Sequence, residues 1–339
     1  MILTYKFKHD MSNIDWLLEK AQLVANHAIE FRTRSSKDVS YIGLPSAIAN
    51  QILKKYACNR KCKKATNVVL GVPGQGCKLF ENSLSIPCLK YSCIVDFRGR
   101  AVTKINQVEV SKHFLFVSVT VQEAPLLTCY DAIGVDRNTT GHAIVAASTS
   151  NGKVLKLGKQ ACHLRRKYRN TREKLRNSGK FRALRKLGSK EQRHLRDLDH
   201  KMSKAVVSFA IDSGASIVLE DLKGIREGTK RKSNRRTRGM TNAWSFSQFE
   251  SFLTYKAQLA GVPVHKVDPK YTSQQCARCG KLGARKDKSF VCCCGHIEHA
   301  DVNAAFVIAA RHIGVRSLEE CDSSEGQLTC PRKQCTLRG

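Results

Sequence analysis

The order of apolar strands and helices between residues 131 and 311 constrains the fold of this chain more than any other feature. Three short strand patterns separated by turn residues come first, and a helix, a buried strand, a second helix, another strand and a final helix follow. Short apolar runs bounded by turn residues are typical of strands, and apolar residues three and four positions apart are typical of helices. The order βββ-α-β-α-β-α therefore predicts a mixed sheet whose first three strands are antiparallel.

Three carboxylates stand at the ends of elements in this order. Asp136 follows the apolar residues 132–135, Glu220 ends the apolar strand that starts at Ala215, and Asp301 begins the last helix. The element order is the ribonuclease-H pattern, in which the first strand, the fourth strand and the last helix are neighbours, so we expect the three side chains to meet at one edge of the sheet. Shared carboxylate oxygens can hold two Mg²⁺ ions about 4 Å apart, and such a pair stabilises both the attacking and the leaving oxygen of a phosphodiester displacement. The spacing therefore predicts a two-metal nuclease centre.

Each acid alone has a simpler explanation, because a single carboxylate at the end of a strand is commonly a solvated surface group or a cap. Acidic side chains are scarce in this chain, which has 59 Lys and Arg residues, 28 Asp and Glu residues and a formal net charge of +31. A carboxylate that closes an apolar strand in such a chain needs a compensating partner. We therefore favour the metal centre when the three acids and the topology are considered together.

The excess of positive charge predicts a polyanionic partner, because it would otherwise destabilise the compact state by self-repulsion. Nucleic acid is the first candidate, and an anionic membrane surface is the second. No apolar run of the 339 residues approaches the roughly 20 that a membrane-spanning helix needs, and residues 1–6 become polar too soon for a signal peptide. We expect a soluble, intracellular protein whose 15 cysteines are mainly reduced.

The first 128 residues have a different character. Residues 2–8 alternate as a strand does, residues 16–29 carry apolar groups at helical spacing, and residues 67–125 contain several short strand patterns divided by turn residues. We predict a small β-barrel built from residues 1–9 and 65–128, with residues 10–64 inserted as a helical segment. The predicted fold class is thus multidomain α+β.

A cysteine cluster lies between the last strand and the last helix of the ribonuclease-H pattern. Cys276 and Cys279 have the spacing of a zinc knuckle, in which two thiolates take two corners of a tetrahedron about 2.3 Å from the ion. Four protein ligands predict a structural zinc ion in a ribbon, against the alternative of free buried thiols. The second knuckle is one residue short, so its ligand pair stays open. The possible pairs are Cys292 with Cys294, Cys293 with His296, and Cys292 with His296.

The remaining cysteines have irregular spacing, which favours ordinary core or surface residues over a second zinc site. The five in the first part of the chain are Cys58, Cys62, Cys77, Cys88 and Cys93. Cys330 and Cys335 lie in a polar segment, residues 315–339, that we predict to be disordered.

Residues 164–204 contain 16 Lys and Arg residues against 4 Asp and Glu residues. This segment predicts a surface for a nucleic-acid backbone, with binding that weakens as salt rises; the alternative is a solvated amphipathic helical hairpin. The loop at residues 226–238 has seven basic residues and one acid, and we predict that it guides a substrate strand. Trp244 and Phe246 follow this loop, and anchoring a helix in the core is a more typical role for them than stacking on a base.

Six short motifs follow one another along the chain. They are Gly134-Val135-Asp136, Leu219-Glu220-Asp221-Leu222, Trp244-Ser245-Phe246, Val267-Asp268-Pro269-Lys270-Tyr271-Thr272-Ser273, the Cys276 and Cys279 knuckle, and Asp301-Val302-Asn303-Ala304-Ala305. This series resembles the TnpB family, transposon-encoded proteins of bacterial and archaeal insertion sequences that are related to the type V CRISPR effector nucleases. The resemblance covers roughly residues 65–311.

The resemblance implies a RuvC-like nuclease domain at residues 129–271 and 296–314, with the three carboxylates as Mg²⁺ ligands. It also implies a zinc ribbon at residues 272–295 and a wedge-like barrel whose helical insert serves recognition. The expected partners are a guide RNA from the transposon end and double-stranded target DNA that pairs with the guide. The expected location is the cytoplasm of a prokaryote, in association with the nucleoid.

Two features depart from the family pattern. The helical insert is short, so recognition would be shared with RNA or with a second copy, and the choice between monomer and dimer stays open. The compressed second knuckle would weaken zinc binding and, with it, the placement of the neighbouring Asp301. Two other functions compete with the nuclease. The first is guided binding without cleavage, but loss of cleavage would normally replace one of the acids, and all three are present. The second is a transposase or transposase accessory role, but the sequence has no obvious helix-turn-helix for binding transposon ends.

Overall fold

The computed structural model describes residues 1–59, 61–222 and 246–314, and the chain divides into two compact units, Met1–Glu123 and Ala124–Gly339. Several sequence predictions lie outside the described residues: the basic loop 226–238, Trp244, the side chain of Phe246, and the segment 315–339. Among the described helices, none has the length and apolar character that crossing a bilayer requires.

The first unit contains two antiparallel sheets and two helices. Its four-stranded sheet has the order β1-β7-β6-β2, and its three-stranded sheet has the order β3-β4-β5. The strands are β1 (Ile2–Lys8), β2 (Leu70–Pro73), β3 (Lys78–Phe80), β4 (Ser83–Ile86), β5 (Tyr91–Ile94), β6 (Val102–Val110) and β7 (Phe114–Val121). The helices are α1 (Ile14–Phe31) and α2 (Ser46–Ala57), with a 3₁₀ helix (Ser36–Ile42) between them.

Side-chain periodicity explains these elements. In β7 every second residue is buried, from Leu115 to Val121, because successive side chains of a strand point to opposite faces. In α1 the buried residues recur three and four positions apart, so one face of the helix packs inward. The two helices occupy the place of the predicted helical insert, and closure of the two sheets into a barrel stays a prediction.

The second unit is built on a five-stranded sheet in the order β10-β9-β8-β11-β12. Its strands are β8 (Asp131–Arg137), β9 (Ile144–Ser148), β10 (Val154–Leu157), β11 (Ala215–Glu220) and β12 (Val264–Val267). The first three strands are antiparallel in sequence, as predicted, and β11 runs parallel to both β8 and β12.

Helices cover both faces of this sheet. The described helices of the second unit are α3 (Lys159–Asn177), α4 (Phe181–Leu187), α5 (Lys190–Asp212), α6 (Phe246–Leu259) and α7 (Ala300–His312). One face packs on α5 and α6 through a core that includes Ile133, Ile217 and Phe249, and full burial of a side chain as large as Phe249 contributes roughly 1.5–3 kcal/mol. The other face packs on α7, where Ala132 and Val218 meet Ile308.

A small antiparallel sheet follows β12 and leads directly into α7. Its strands are β13 (Ala284–Lys286), β14 (Ser289–Val291) and β15 (Ile297–His299). This sheet carries the cysteine cluster and extends four residues past the predicted ribbon boundary at residue 295, because Ile297 to His299 pair with β14. The described chain is thus a mixed α/β structure with several sheets, which agrees with the expected multidomain α+β class.

Candidate metal centre

The alternation of side chains along the sheet decides where Asp136 and Glu220 point. Ile133 and Val135 of β8 face the α5 and α6 side, so Asp136 faces the opposite side, where α7 lies. Glu220 has the same parity in β11 as Val218, which packs on α7. Because β8 and β11 are parallel neighbours, the two carboxylates emerge at the same ends of adjacent strands.

Asp301 enters from α7 in the first turn of the helix. The backbone N–H of Asp301 donates to Nδ1 of His299, which caps the helix at 3.3 Å. The Asp301 residue is 1% exposed, and Asp136 and Glu220 are each 8% exposed. The three acids predicted from the sequence therefore come together as one buried carboxylate cluster, in which each of the other two charges acts on Asp136.

Burial and the neighbouring charges shift the pKa values of two acids in this cluster. Burial, together with the charges of Glu220 and Asp301, raises the pKa of Asp136 to about 7, while the amide of Asn138 opposes the shift by donating to Asp136 Oδ2 at 2.8 Å. Burial also raises the pKa of Glu220, although its hydrogen bond from the Thr272 hydroxyl acts in the other direction. A buried acid that takes up a proton near neutral pH is a candidate for binding a cation in place of that proton.

The donor set fits a divalent metal such as Mg²⁺. Hard divalent cations prefer carboxylate oxygens, and the cluster supplies three carboxylates from two strands and a helix in a setting shielded from water. The side chains that would hold the ions are Asp136, Glu220 and Asp301. Divalent ions held by these side chains would activate water and neutralise the charge of a phosphoryl group under attack.

A buried arginine next to Asp136 was not anticipated from the sequence. Arg137 faces the α6 side of the sheet, and its Nη1 lies 2.9 Å from Glu250 Oε2, while its Nη2 donates to the backbone oxygen of Glu220. Glu250 also forms an ion pair with Lys266 of β12. Arg137, paired with Glu250, therefore holds the end of β11, which carries Glu220, from the α6 side of the sheet. An arginine one residue after a strand-ending acid is the signal that could have indicated this role.

Two cations contact Asp301 from the small sheet that precedes α7. Lys288 Nζ lies 2.6 Å from Asp301 Oδ2, and Arg285 Nη2 lies 3.3 Å from Asp301 Oδ1. Both side chains come from the β13–β14 hairpin, and both are about one-third exposed, whereas the carboxylate is buried. Sequence reasoning did not single out either residue, because lysine and arginine are common throughout this basic chain.

The cysteine cluster forms a four-sulfur site. The sulfur atoms of Cys276, Cys279, Cys292 and Cys294 all lie within 4.8 Å of one another, and no other set of three or more candidate ligands in the described part of the chain is so compact. Four thiolates at this separation fit tetrahedral zinc. Of the alternatives that the sequence left open, the geometry selects Cys292 with Cys294, and Cys293 is exposed outside the set.

The ribbon is tied to α7 by a buried amide. Asn303 Nδ2 donates to the carbonyl oxygen of Gln275 at 2.7 Å, and the N–H of Ala277 donates to Asn303 Oδ1 at 2.9 Å. The loop that carries Cys276 is therefore held against the first turns of the helix that carries Asp301. The Asp-x-Asn spacing in the last motif contains this residue, but its contact is visible only in the folded chain.

The basic segment 164–204 is helical, within α3, α4 and α5. The few buried groups in α3 include Tyr168, whose hydroxyl lies 2.9 Å from His194 Nδ1, and Arg172 pairs with Glu191 across the two long helices. Most of the other side chains of α3 and α4 are exposed. The segment is helical, as expected both for a nucleic-acid surface and for a solvated amphipathic hairpin. Its binding to nucleic acid stays a proposal.

Comparisons with known proteins find similar sequences and structures. Residues 246–308 match the family model described as Cas12f1-like, TNB domain. A TnpB-like protein of Methanocaldococcus jannaschii is 34% identical over 141 residues, which is 41% of this chain and 50% of that protein. The CRISPR-associated endodeoxyribonuclease Cas12f1 of Sulfoacidibacillus thermotolerans is 24% identical over 80% of this chain and 64% of that protein. The matches thus span about half to two thirds of the length of these relatives.

Among solved structures, a cryo-EM structure of a Cas12f1–sgRNA–target DNA complex aligns with 91% of this chain and 99% of that one. Its TM-score is 0.46 and its sequence identity is 17%.

Proposed function

We propose that this chain, a TnpB-family protein related to the Cas12f endodeoxyribonucleases, is a transposon-encoded RNA-guided DNA endonuclease. Its nuclease centre consists of Asp136, Glu220 and Asp301 in a RuvC-like domain. The substrate is double-stranded DNA that pairs with a guide RNA from the transposon end. The reaction is hydrolysis of a phosphodiester bond with two Mg²⁺ ions.

The buried carboxylate cluster carries this proposal. Three acids in a chain of net charge +31 converge from β8, β11 and α7, and the pKa of Asp136 rises to about 7. A cluster that served stability alone would be costly, since each buried charge requires compensation. Binding of divalent cations would compensate the buried charge and supply a function.

The residues around the cluster would divide the work of the reaction. The bound ions would supply a nucleophilic water and electrostatic stabilisation of the leaving oxygen. Asp136 and Glu220 would hold the ions at fixed positions, because their strands are neighbours in one sheet. The Thr272 hydroxyl and the Asn138 amide orient one oxygen each of Glu220 and Asp136, which leaves the other oxygen of each carboxylate for a metal.

The rest of the chain would hold the nucleic acids. The basic helices α3 to α5 would lie along the guide–target heteroduplex, because Lys and Arg side chains bind the phosphate backbone without regard to sequence. The first unit would act as a wedge-like domain with a helical recognition insert. The four-cysteine site would hold structural zinc.

Cutting of a matched DNA library tests the function. The protein is expressed with its own locus, the RNA that copurifies is sequenced, and plasmids matched to that RNA are incubated with Mg²⁺ or with EDTA. We expect cutting only of matched plasmids and only with Mg²⁺, and we expect Asp136→Ala to abolish cutting while RNA still copurifies. Tight guided binding without cutting would instead support the binding-only alternative.

A further inference from the structure

The hairpin between β13 and β14 places two cations on the third candidate metal ligand. Each Asp301 oxygen has its own partner: Lys288 Nζ contacts Oδ2 at 2.6 Å, and Arg285 Nη2 contacts Oδ1 at 3.3 Å. The Asp301 carboxylate is buried, with 1% exposure, whereas the two cationic side chains are about one-third exposed. Two cationic side chains therefore compensate the charge of Asp301.

The backbone of the hairpin is fixed at the same place. The N–H of Ala300, the first residue of α7, donates to the carbonyl oxygen of Lys288 at 2.8 Å. The Lys288 ammonium also lies 3.5 Å from the carbonyl oxygen of Thr140, in the loop that follows Asp136. Lys288 is therefore held beside the centre by its main chain, and only its side chain, which is 37% exposed, is free to swing away.

A divalent ion and the Lys288 ammonium cannot share Asp301 at low cost. A metal bound at about 2.1 Å from a carboxylate oxygen would stand within a few ångströms of an ammonium bound to that same carboxylate. At that separation the two cations repel each other, although the 37% exposure of the lysine side chain reduces the repulsion. A metal that binds Asp301 therefore competes with Lys288 for Oδ2 or with Arg285 for Oδ1.

We infer that Lys288 and Arg285 compete with divalent metal for Asp301 in the free protein and bind a phosphate of the DNA strand once metal holds Asp301. The inference rests on the proposed function. A displaced ammonium that is anchored beside the metals is well placed to contact the phosphate that those metals engage, since lysine binds phosphate as a point charge. The same two residues would thus keep the metal weakly bound until substrate is present and then support cleavage.

Metal binding by the nucleic-acid-free protein tests the first half of the inference. The probe is Mn²⁺, titrated into the protein and followed by the electron paramagnetic resonance signal of the free ion. Asp136→Asn defines which part of the binding belongs to the centre. We expect Lys288→Met to bind Mn²⁺ at this centre about fivefold more tightly than the unsubstituted protein, which equals roughly 1 kcal/mol.

The hairpin offers a matched control for charge. Lys286 is exposed at the end of β13, and Lys286→Met removes the same charge from the same hairpin. We expect it to leave the Mn²⁺ affinity unchanged, and we expect Lys288→Arg, which keeps a cation on Asp301, to stay close to the unsubstituted affinity. Zinc content and melting temperature show whether each variant is folded.

The second half is tested by cleavage at saturating Mg²⁺ with guide RNA bound. Lys288→Met should then cut matched DNA at least about tenfold more slowly, although it binds metal more tightly. Equal or weaker Mn²⁺ affinity of Lys288→Met would overturn the competition, and an unchanged cleavage rate would overturn the phosphate role. If the unsubstituted protein showed no Mn²⁺ binding that depends on Asp136, the metal centre of the proposed function would fail, and the inference would fail with it.

Discussion

Asp136 and Arg137 are consecutive in β8 and serve opposite faces of the sheet. Asp136 lies in the carboxylate cluster on the α7 side, whereas Arg137 Nη1 lies 2.9 Å from Glu250 Oε2 on the α6 side. The arginine side chain is completely buried and the glutamate side chain is 24% exposed, so the pair holds the strand end at the edge of the core. The strand thereby joins a centre of negative charge to a buried ion pair that fixes its position.

Loss of Glu250 should weaken the fold at this strand end. Glu250→Ala removes this carboxylate from the buried Arg137 guanidinium, and because Glu250 is 24% exposed we expect a loss of about 2 kcal/mol, less than for a fully buried pair. Chemical denaturation of the purified protein would measure the change in the free energy of unfolding. Glu173→Ala, at an exposed position of α3, is the control and should change it by less than about 0.5 kcal/mol. A Glu250→Ala protein as stable as the control would show that the pair has no structural role.

The raised pKa of Asp136 predicts how stability depends on pH in metal-free protein. In the folded chain this carboxyl has a pKa of about 7, whereas its ordinary value is 3.8, so the folded state binds the proton more strongly than the unfolded state does. The resulting stability is complete below the ordinary pKa and is lost as pH rises through about 7. Between pH 6 and pH 8 in EDTA, we expect a loss of about 1 kcal/mol.

The Asp136→Asn variant isolates this contribution. An amide cannot titrate, so the loss of stability between pH 6 and pH 8 should shrink by the same amount, as measured by urea denaturation at each pH. An equally steep loss in the variant would assign the pH dependence to other groups. Addition of Mg²⁺ should raise the stability of the unsubstituted protein more at pH 8 than at pH 6, because binding requires the ionised carboxylate.

Close packing of α7 on β8 makes Gly134 irreplaceable. A Cβ atom at Gly134 would stand 1.9 Å from the carbonyl oxygen of Ala305 and 2.5 Å from the nitrogen of Ala309, so Gly134→Ala must push away the helix that carries Asp301. We expect a loss of at least about 2 kcal/mol in the free energy of unfolding, together with weaker Mn²⁺ binding. Gly71→Ala is the control, because its Cβ would meet only ordinary contacts, with the closest atom at 3.4 Å. Similar stability of the two variants would contradict this packing.

The second zinc knuckle gives a test that separates three adjacent cysteines. Cys292→Ser and Cys294→Ser should each lower the zinc content of the purified protein, because both sulfur atoms belong to the four-sulfur set. Cys293→Ser should keep a full equivalent of zinc, because Cys293 is exposed outside that set. Atomic emission of dialysed protein measures zinc directly. Retention of zinc by Cys294→Ser combined with its loss in Cys293→Ser would show that the ribbon uses another ligand pair.

The strand and helix order of the second unit could be predicted from the sequence because its signals are local. The apolar run before Asp136 and the run that ends at Glu220 indicate buried strands, and parallel neighbours place such strand ends together. The choice of Cys294 could not be made from spacing, because the shortened knuckle permits several pairs until the backbone fixes which sulfurs converge.

The side chains that contact the three acids and their strands could not be predicted from local sequence patterns. Thr272 reaches Glu220 across 52 residues, and Glu250 reaches Arg137 across 113 residues, so neither contact leaves a periodic signal. Lys288 and Asp301 are only 13 residues apart, but a hairpin must form between them before they meet. The sequence could indicate which acids matter, whereas the groups that tune them depend on the folded sheet.

The most direct test of the metal centre is cleavage of guide-matched DNA by variants with one acid removed at a time. Asp136→Asn, Glu220→Gln and Asp301→Asn are each purified with bound RNA and compared with Asp212→Asn, which changes an exposed acid at the end of α5. We predict that each of the first three lowers the rate of Mg²⁺-dependent cleavage by at least about a thousandfold, that RNA binding persists, and that Asp212→Asn cleaves normally. Normal cleavage by any of the three acid variants would contradict the assignment of the metal centre.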